Sequence, residues 1–221
     1  MNGDAESRST PPIRLLRAAD HRRMPWKNGL GVTLEIARDE SGAEDVDRSS
    51  GDFAWRLSIA DVATDGPFSR FVKIDRHLLL IEGRGVRLAI DGTSRTLDRL
   101  YQPIAFAGES TTFCTLLDGP VRDFNVMVDR RRFTASVRRL AQGVHHTLGP
   151  GALRFAIAFG GTGCLAVVTP DDATHMASAD CEVLELFTCD AVRLTSTASC
   201  VTALVDPDAA LFEVVLRPVD E

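Results

Sequence analysis

The chain has 221 residues, of which 44% are hydrophobic and 25% are charged, and its formal net charge is −6 at pH 7. This length allows one large domain or two small ones with a substantial core, and the ordinary composition excludes disordered and fibrous classes. Acidic and basic residues are interspersed, which argues against binding to nucleic acid or to an anionic membrane.

In chain order, short apolar or alternating segments bounded by Gly, Pro, Asp or Ser predict strands. Residues 1–12 are polar, and we expect a flexible N-terminus there. Strands are predicted at residues 32–37, 53–60, 77–81, 86–90, 112–117 and 124–128. Residues 129–141 form the only segment with a helical pattern of any length, although Thr and Val lower its propensity. Further strands are predicted at residues 153–159, 164–168, 182–188, 191–194, 200–204 and 211–216.

These elements indicate an all-β protein, and many short strands in a chain of this size favour barrels or sandwiches. Gly and Pro accumulate at residues 140–151, so we place a boundary there between a first half, residues 13–140, and a smaller second half, residues 141–221. Residues 78–92 and 154–168 both read as strand, glycine turn, strand. This similarity indicates an internal duplication.

Several classes of protein are not supported by the sequence. No apolar run approaches the roughly 20 residues of a membrane helix, and the first ten residues lack a signal-peptide core. We therefore expect a cytoplasmic protein. Five cysteines contain no CxxC pair and five histidines show no HxH or HxxxH spacing, so neither disulfides nor a metal site is expected. The GxG tripeptides lack the third glycine and helix of a dinucleotide loop, and no cofactor is predicted.

Residues 24–37, MPWKNGLGVTLEIA, combine a Trp, a Lys, an Asn and a Glu with two glycines before and inside a predicted strand. Gly29 and Gly31 would let the backbone take a positive φ or approach closely. A set of convergent polar groups is typical of a binding site, and a glycine turn with exposed neighbours is the alternative.

Period-two alternation places polar side chains on one face of three strands. Glu35 shares a face with Thr33, Ser58 shares a face with Arg56, and Asn125 shares a face with Asp123 and Met127. These stripes point either to solvent or into an internal cavity. In a cavity they would need partners, which a Glu35–Arg56 ion pair would provide.

The chain resembles the HutD/Ves family, a group of bicupin-like proteins associated with bacterial histidine utilisation. The segments that carry the resemblance are residues 24–37, 53–71, 74–92, 106–109 and 117–129. The resemblance implies two cupin-like β-barrels in one chain. When the metal-ligand motifs of cupins are placed on this sequence, the glutamate position falls on Arg76 and the second-motif histidine on Thr111, so we expect a barrel without a metal.

On this basis the first half is predicted to bind a small anionic metabolite and to modulate histidine utilisation, with urocanate or N-formylglutamate as the suspected ligand. Lys27 and Arg56 would meet its carboxylate, Glu35 would pair with a cation or accept a hydrogen, and Trp26 would wall the site. Orienting contacts would come from Asn28, Ser58 and Asn125. The alternatives are a metal-free isomerase or hydrolase with Lys27 or Glu35 as acid or base, and a module that binds a protein through a flat apolar surface. The sequence leaves a homodimer open.

Overall fold

The computed structural model describes residues 13–26, 29, 31–39, 53–140, 152–168, 181–194, 200–205 and 209–219. Its strands are β1 (Ile13–Leu16), β2 (Arg22–Pro25), β3 (Gly31–Arg38), β4 (Trp55–Val62), β5 (Gly66–Pro67), β6 (Ile74–Glu82), β7 (Val86–Ile90), β8 (Thr93–Leu97), β9 (Pro103–Ala107), β10 (Thr112–Leu116), β11 (Val121–Asp129), β12 (Phe133–Arg139), β13 (Leu153–Phe159), β14 (Gly163–Val168), β15 (Cys181–Leu186), β16 (Ala191–Leu194), β17 (Cys200–Val205) and β18 (Ala210–Pro218). Within these ranges the only helical element is a single 3₁₀ turn, Ala18–Asp20, and no helix is long and apolar enough to cross a membrane. The predicted all-β class is confirmed.

The strands form four antiparallel sheets. A six-stranded sheet has the order β2-β3-β4-β11-β6-β9, and a four-stranded sheet has the order β5-β10-β7-β8. A five-stranded sheet has the order β1-β16-β13-β18-β12, and a three-stranded sheet has the order β15-β14-β17. None of these ladders closes on itself over the described ranges, so the predicted barrels appear as layered open sheets.

The six-stranded sheet is buried on both faces. Leu57 and Ile59 point to one face, where they share an apolar core with Phe155 and Phe212 of the five-stranded sheet. Alternate positions point to the other face, where Ala60 of β4 and Leu78 of β6 pack against the four-stranded sheet. The described sheets therefore stack in the order four, six, five and three strands.

The two halves repeat one topology. The order β4-β11-β6-β9 in the six-stranded sheet matches β12-β18-β13-β16 in the five-stranded sheet, and β10-β7-β8 matches β17-β14-β15. Each repeat passes from the larger to the smaller sheet through glycines with positive φ, Gly83 and Gly85 in the first and Gly160 and Gly161 in the second. This order agrees with the duplication indicated by residues 78–92 and 154–168.

The structure differs from the sequence patterns in two places. The helical pattern at residues 129–141 does not give a helix, because residues 133–139 form β12, which pairs along its whole length with β18. Its alternate side chains, including Phe133 and Val137, pack on the shared core, and this burial outweighs local propensity. In addition, β1 and β12 belong to the sheet of the second half although they precede residue 141. Residues 1–12 and 141–151 lie outside the described residues.

Candidate functional site

A cavity of about 430 Å³ lies on the face of the six-stranded sheet that is turned toward the four-stranded sheet. Strands β2, β3, β4, β6 and β11 supply its floor, while β5 and the loop after it supply part of the rim. The lining residues are Met24, Pro25, Trp26, Thr33, Arg56, Ser58, Ala60, Pro67, Phe68, Ser69, Phe71, Arg76, Asp123 and Asn125. The concave shape contrasts with the flat apolar surface expected of a protein-binding module.

Strand register arranges the floor in three rows, since residues paired across antiparallel strands share a face. The Asp123 row comprises Thr33, Ala60, Asp123 and Leu80; the Asn125 row comprises Glu35, Ser58, Asn125 and Leu78; the arginine row comprises Arg38, Arg56, Met127 and Arg76. A bulge between Glu35 and Ala37 shifts the register, so that Arg38 rather than Ala37 joins the arginine row. Neighbouring rows lie roughly 7 Å apart along the strands.

Arg76 is a deeply enclosed cation of the cavity, with 6% exposure. Its guanidinium lies 5.0 Å from the ring centroid of Phe106, 5.2 Å from that of Phe68 and 5.9 Å from that of Phe71. Desolvation lowers the pKa of Arg76 to about 10, although the charge of Asp123 opposes the shift. The group therefore stays protonated at neutral pH. Its one side-chain hydrogen bond in the described structure is a long one, donated by Nε to Asn125 Oδ1 at 3.4 Å.

Arg56 lies beside it, with its guanidinium 5.3 Å from the ring centroid of Phe53 and 5.8 Å from that of Phe71. Burial lowers the pKa of Arg56, while the charge of Glu35 raises it. No described hydrogen bond or ion pair joins Glu35 to Arg56, and both Glu35 Oε2 and Arg56 Nε are buried without a hydrogen-bond partner. Glu35 and Arg56 thus interact electrostatically at longer range instead of forming the expected direct ion pair.

Asp123 supplies the one carboxylate among the described lining residues. It is 5% exposed, and its Oδ1 has no hydrogen-bond partner. Burial raises the pKa of Asp123 to about 7, against the lowering effect of Arg76. The cavity therefore contains a carboxyl group that titrates near neutral pH.

Trp26 forms one wall, at the end of the β2–β3 hairpin. Its backbone N–H donates to Gly31 O at 2.9 Å, and Gly29 N–H donates to Trp26 O at 3.0 Å. Gly29 has a φ of 71°, and a Cβ on Gly31 would lie 2.9 Å from the Trp26 ring. Both predicted uses of these glycines, a positive φ and a close approach, are confirmed. The indole Nε1 donates to Thr33 Oγ1 at 2.9 Å, which fixes the ring.

An ion-pair network anchors the rim loop that carries Phe68 and Phe71. Arg130 binds Asp75 and Glu109 and also donates to Ile74 O at 2.8 Å. Phe71 N–H donates to the carbonyl of the neighbouring segment, Gly108 O, at 2.8 Å. These contacts hold the aromatic rings in place over the two arginines.

The structure brings most of the predicted site together. Trp26, Arg56, Ser58 and Asn125 line the cavity, so these polar stripes face inward rather than to solvent. Glu35 is buried next to Ser58 but does not line the cavity. Lys27 and Asn28 lie outside the described residues.

Sequence reasoning missed Arg76, Asp123 and the rim phenylalanines as site residues. Asp123 shares a predicted strand face with Asn125, so period-two alternation could have identified Asp123 as a site residue. Arg76 precedes the strand predicted at residues 77–81, and extending that strand would have placed it on the face of Leu78 and Leu80.

The second repeat provides an internal comparison. Register places Arg154 and Glu213 at the positions of Arg76 and Asn125. Arg154 Nε lies 2.6 Å from Glu213 Oε1, and Arg138 also pairs with Glu213. Leu211 occupies the position of Asp123 and belongs to a buried apolar cluster of this repeat. The arginine of the second repeat thus has an internal counter-ion, whereas Arg76 faces a neutral amide.

The site does not fit the metal of cupin enzymes. No group of three or more His, Cys, Asp or Glu side chains in the described part of the chain could hold an ion. The described lining residues combine two guanidiniums with one carboxylate, a donor set that opposes a divalent cation.

Comparisons with known proteins identify the family. The chain is 42% identical over 126 residues to an uncharacterized 21.2 kDa protein in the hutC 3′ region of Pseudomonas putida, and 40% identical over 124 residues to protein Ves of Citrobacter koseri. These alignments cover 57% and 54% of the chain, but only 63% and 61% of the two relatives.

Among solved structures, a conserved protein of unknown function from Pseudomonas aeruginosa PAO1 matches with a TM-score of 0.72 and 34% identity, and HutD from Pseudomonas fluorescens SBW25 with 0.65 and 29%. Each match covers 94% of this chain and 100% of the other. A cupin 2 conserved barrel domain protein from Leptotrichia buccalis matches with 0.52 and 9% identity, covering 85% of this chain and 88% of its own, which shows a cupin-like fold alone. The HutD family model matches residues 18–203, and the chain belongs to the HutD family.

Proposed function

We propose that the cavity binds a small carboxylate metabolite through Arg56 and Arg76, and that the protein thereby modulates histidine utilisation. The observation that carries the proposal is a pair of cavity-facing guanidiniums for which the described structure contains no ion pair. In the second repeat, Glu213 provides the counter-charge for the equivalent arginine, Arg154. A carboxylate between the two arginines would supply the missing counter-charge.

Physical chemistry favours an anion at this point. An enclosed guanidinium has lost its water and gains most from a bidentate carboxylate. Asp123 compensates the two positive charges only in part, because its pKa of about 7 leaves it partly protonated at neutral pH. The aromatic rings around both arginines exclude water and strengthen each charge-assisted hydrogen bond.

Family membership supports the biological role. One relative lies in a hutC 3′ region and another is named HutD. On this basis urocanate and N-formylglutamate remain the suspected ligands, and formate is the smallest probe, since the Pseudomonas fluorescens HutD structure is described for a formate condition. In the same proposal Trp26, Ser58 and Asn125 orient the ligand, and Glu35 supports Arg56. Lys27 and Asn28, which lie outside the described residues, supply further polar contacts. We also propose that the two repeats are two cupin units of a bicupin.

Calorimetric titration with urocanate, N-formylglutamate and formate tests the proposal. We expect wild type to bind at least one of them, and Arg56→Ala to bind it roughly 10-fold to 100-fold more weakly, because a charge-assisted hydrogen bond contributes about 1.5–3 kcal/mol. Arg95→Ala, which removes an exposed arginine of β8, is the matched control. Equal binding by wild type and Arg56→Ala would exclude Arg56 from the site, and no binding by wild type to any of the three would contradict the proposal.

One observation favours a second function, a metal-free enzyme. Asp123 has a pKa of about 7 in a cavity, which suits a general acid or base. In this alternative Asp123 takes the role that the sequence suggested for Lys27 or Glu35. Proton NMR of urocanate and N-formylglutamate incubated with protein would distinguish the two, since an enzyme converts them and a binding protein leaves them unchanged.

A further inference from the structure

The two ends of the cavity have opposite character. Arg56 and Arg76 belong to the arginine row, and Asp123 belongs to the row at the other end of the floor. Along β11, Asp123 and Met127 are four residues apart, which is roughly 13 Å. The neutral side chains of Ser58 and Asn125 lie between them. A ligand that spans the floor therefore meets cations at one end and a carboxyl group at the other.

The side chain of Asp123 has no donor within the described structure. It is 5% exposed, it forms no described hydrogen bond or ion pair, and its Oδ1 is buried. Its partners across the strands are Ala60 and Leu80, which carry no side-chain donor. A buried carboxyl without a hydrogen bond is strongly unfavourable.

The fold itself does not require a carboxyl group at this position. In the second repeat the equivalent residue is Leu211, which is fully buried in an apolar cluster. Nor does Asp123 act as the direct counter-ion of Arg76, because the hydrogen bond of Arg76 goes to Asn125. A hydrogen-bond donor for the carboxyl oxygens of Asp123 would therefore have to come from a group outside the protein.

Resting on the proposed function, we propose that the ligand is a two-ended molecule, with a carboxylate held by Arg56 and Arg76 and, at its other end, an N–H or O–H group that donates to Asp123. Asp123 is then the residue that determines specificity among small carboxylates. A donor hydrogen-bonded to a buried carboxylate improves affinity about tenfold to hundredfold over a ligand without it.

Matched pairs of flexible carboxylates test this assignment. Each pair replaces a terminal hydroxyl by a methyl group of similar size: 3-hydroxypropanoate with butanoate, 4-hydroxybutanoate with pentanoate, and 5-hydroxypentanoate with hexanoate. All are titrated calorimetrically into wild type, Asp123→Leu and the exposed-site control Asp98→Asn. Leu at 123 copies the second repeat, and thermal unfolding of each variant establishes that it is folded. Should Asp123→Leu fail to fold, Asp123→Asn replaces it.

We expect wild type and Asp98→Asn to favour the hydroxyl member of at least one pair about tenfold or more. In Asp123→Leu this preference is lost or reversed while the methyl member still binds, and in Asp123→Asn it falls at least about threefold. Equal affinities within every pair in wild type, or a preference that survives in the Asp123 variants, would overturn the assignment while leaving carboxylate binding intact. Absence of binding by all six carboxylates in wild type would instead contradict the proposed function.

Discussion

Replacing Asn125 by Asp would give Arg76 an internal counter-ion, as Glu213 does for Arg154 in the second repeat. Asp matches Asn in shape, so its carboxylate would take the place of Asn125 Oδ1, 3.4 Å from Arg76 Nε. At an effective dielectric constant of about 20, two unit charges at this distance attract by roughly 5 kcal/mol. Desolvation of the new carboxylate offsets part of this energy. If about half remains, a ligand carboxylate loses about 2.5 kcal/mol at Arg76, or roughly 60-fold in affinity.

Calorimetric titration of Asn125→Asp with urocanate, N-formylglutamate and formate checks this expectation. The matched control is Gln102→Glu, which makes the same amide-to-acid change at an exposed position and should bind like wild type. Thermal unfolding of both variants verifies that the fold is kept. An affinity within about threefold of wild type in folded Asn125→Asp would refute the reasoning, because Arg76 could then not be the group that holds the carboxylate.

Three further predictions concern the cavity and its wall. Burial raises the pKa of Asp123 from 3.8 to about 7, so ionisation of this carboxyl group opposes folding. The free energy of unfolding of wild type should therefore fall as the pH rises from about 4 to about 7. This group should contribute on the order of 4 kcal/mol to the fall. Urea unfolding should show that Asp123→Asn lacks this decline, and an identical pH profile would contradict the shift. Gly31→Ala should destabilise the protein by about 1–3 kcal/mol and change the fluorescence of Trp26, since its Cβ would meet Asp61 O at 2.5 Å. Gly66→Ala is the comparison and should have the smaller effect, because Gly66 has open space around it and no positive φ. Elemental analysis of protein purified without chelator should find no stoichiometric Zn, Fe, Mn, Ni or Cu, and one bound equivalent would disprove the metal-free prediction.

Most of the fold follows from local patterns in the sequence. Period-two alternation with turn residues located the central strands, because each is long and buried on at least one face. The strands that escaped prediction, such as β5 and β8, are short, and β8 is largely exposed. These short strands are held by backbone pairing with their neighbours, and their sequences lack the alternation of apolar residues that predicts a strand. The error at residues 129–141 has a different origin, since β12 is held by its contacts with β18, far away in sequence.

The candidate site was predictable in part for the same reason. Alternation correctly grouped Arg56 with Ser58, but it could not decide whether that face met water or a second sheet. That choice depends on β5, β7, β8 and β10, which cover the sheet from elsewhere in the chain. The bulge after Glu35 is likewise a property of strand pairing, and it moves Arg38 into the arginine row. Sequence patterns therefore identify faces of strands, while the partners of those faces come from the tertiary structure.

The comparison of the two repeats explains how the fold tolerates such a cavity. Enclosed arginines and an unsatisfied Asp123 destabilise the first repeat, and the opposite face of its sheet compensates by packing on Phe155, Phe159 and Phe212 of the second. Burial of each such ring stabilises the folded state by roughly 2–3 kcal/mol. The second repeat also fills its own interior with apolar side chains and neutralises Arg154 internally. The described interior of the second repeat is thus packed and internally neutralised, and its packing on the first repeat offsets the cost of an open, charged cavity there.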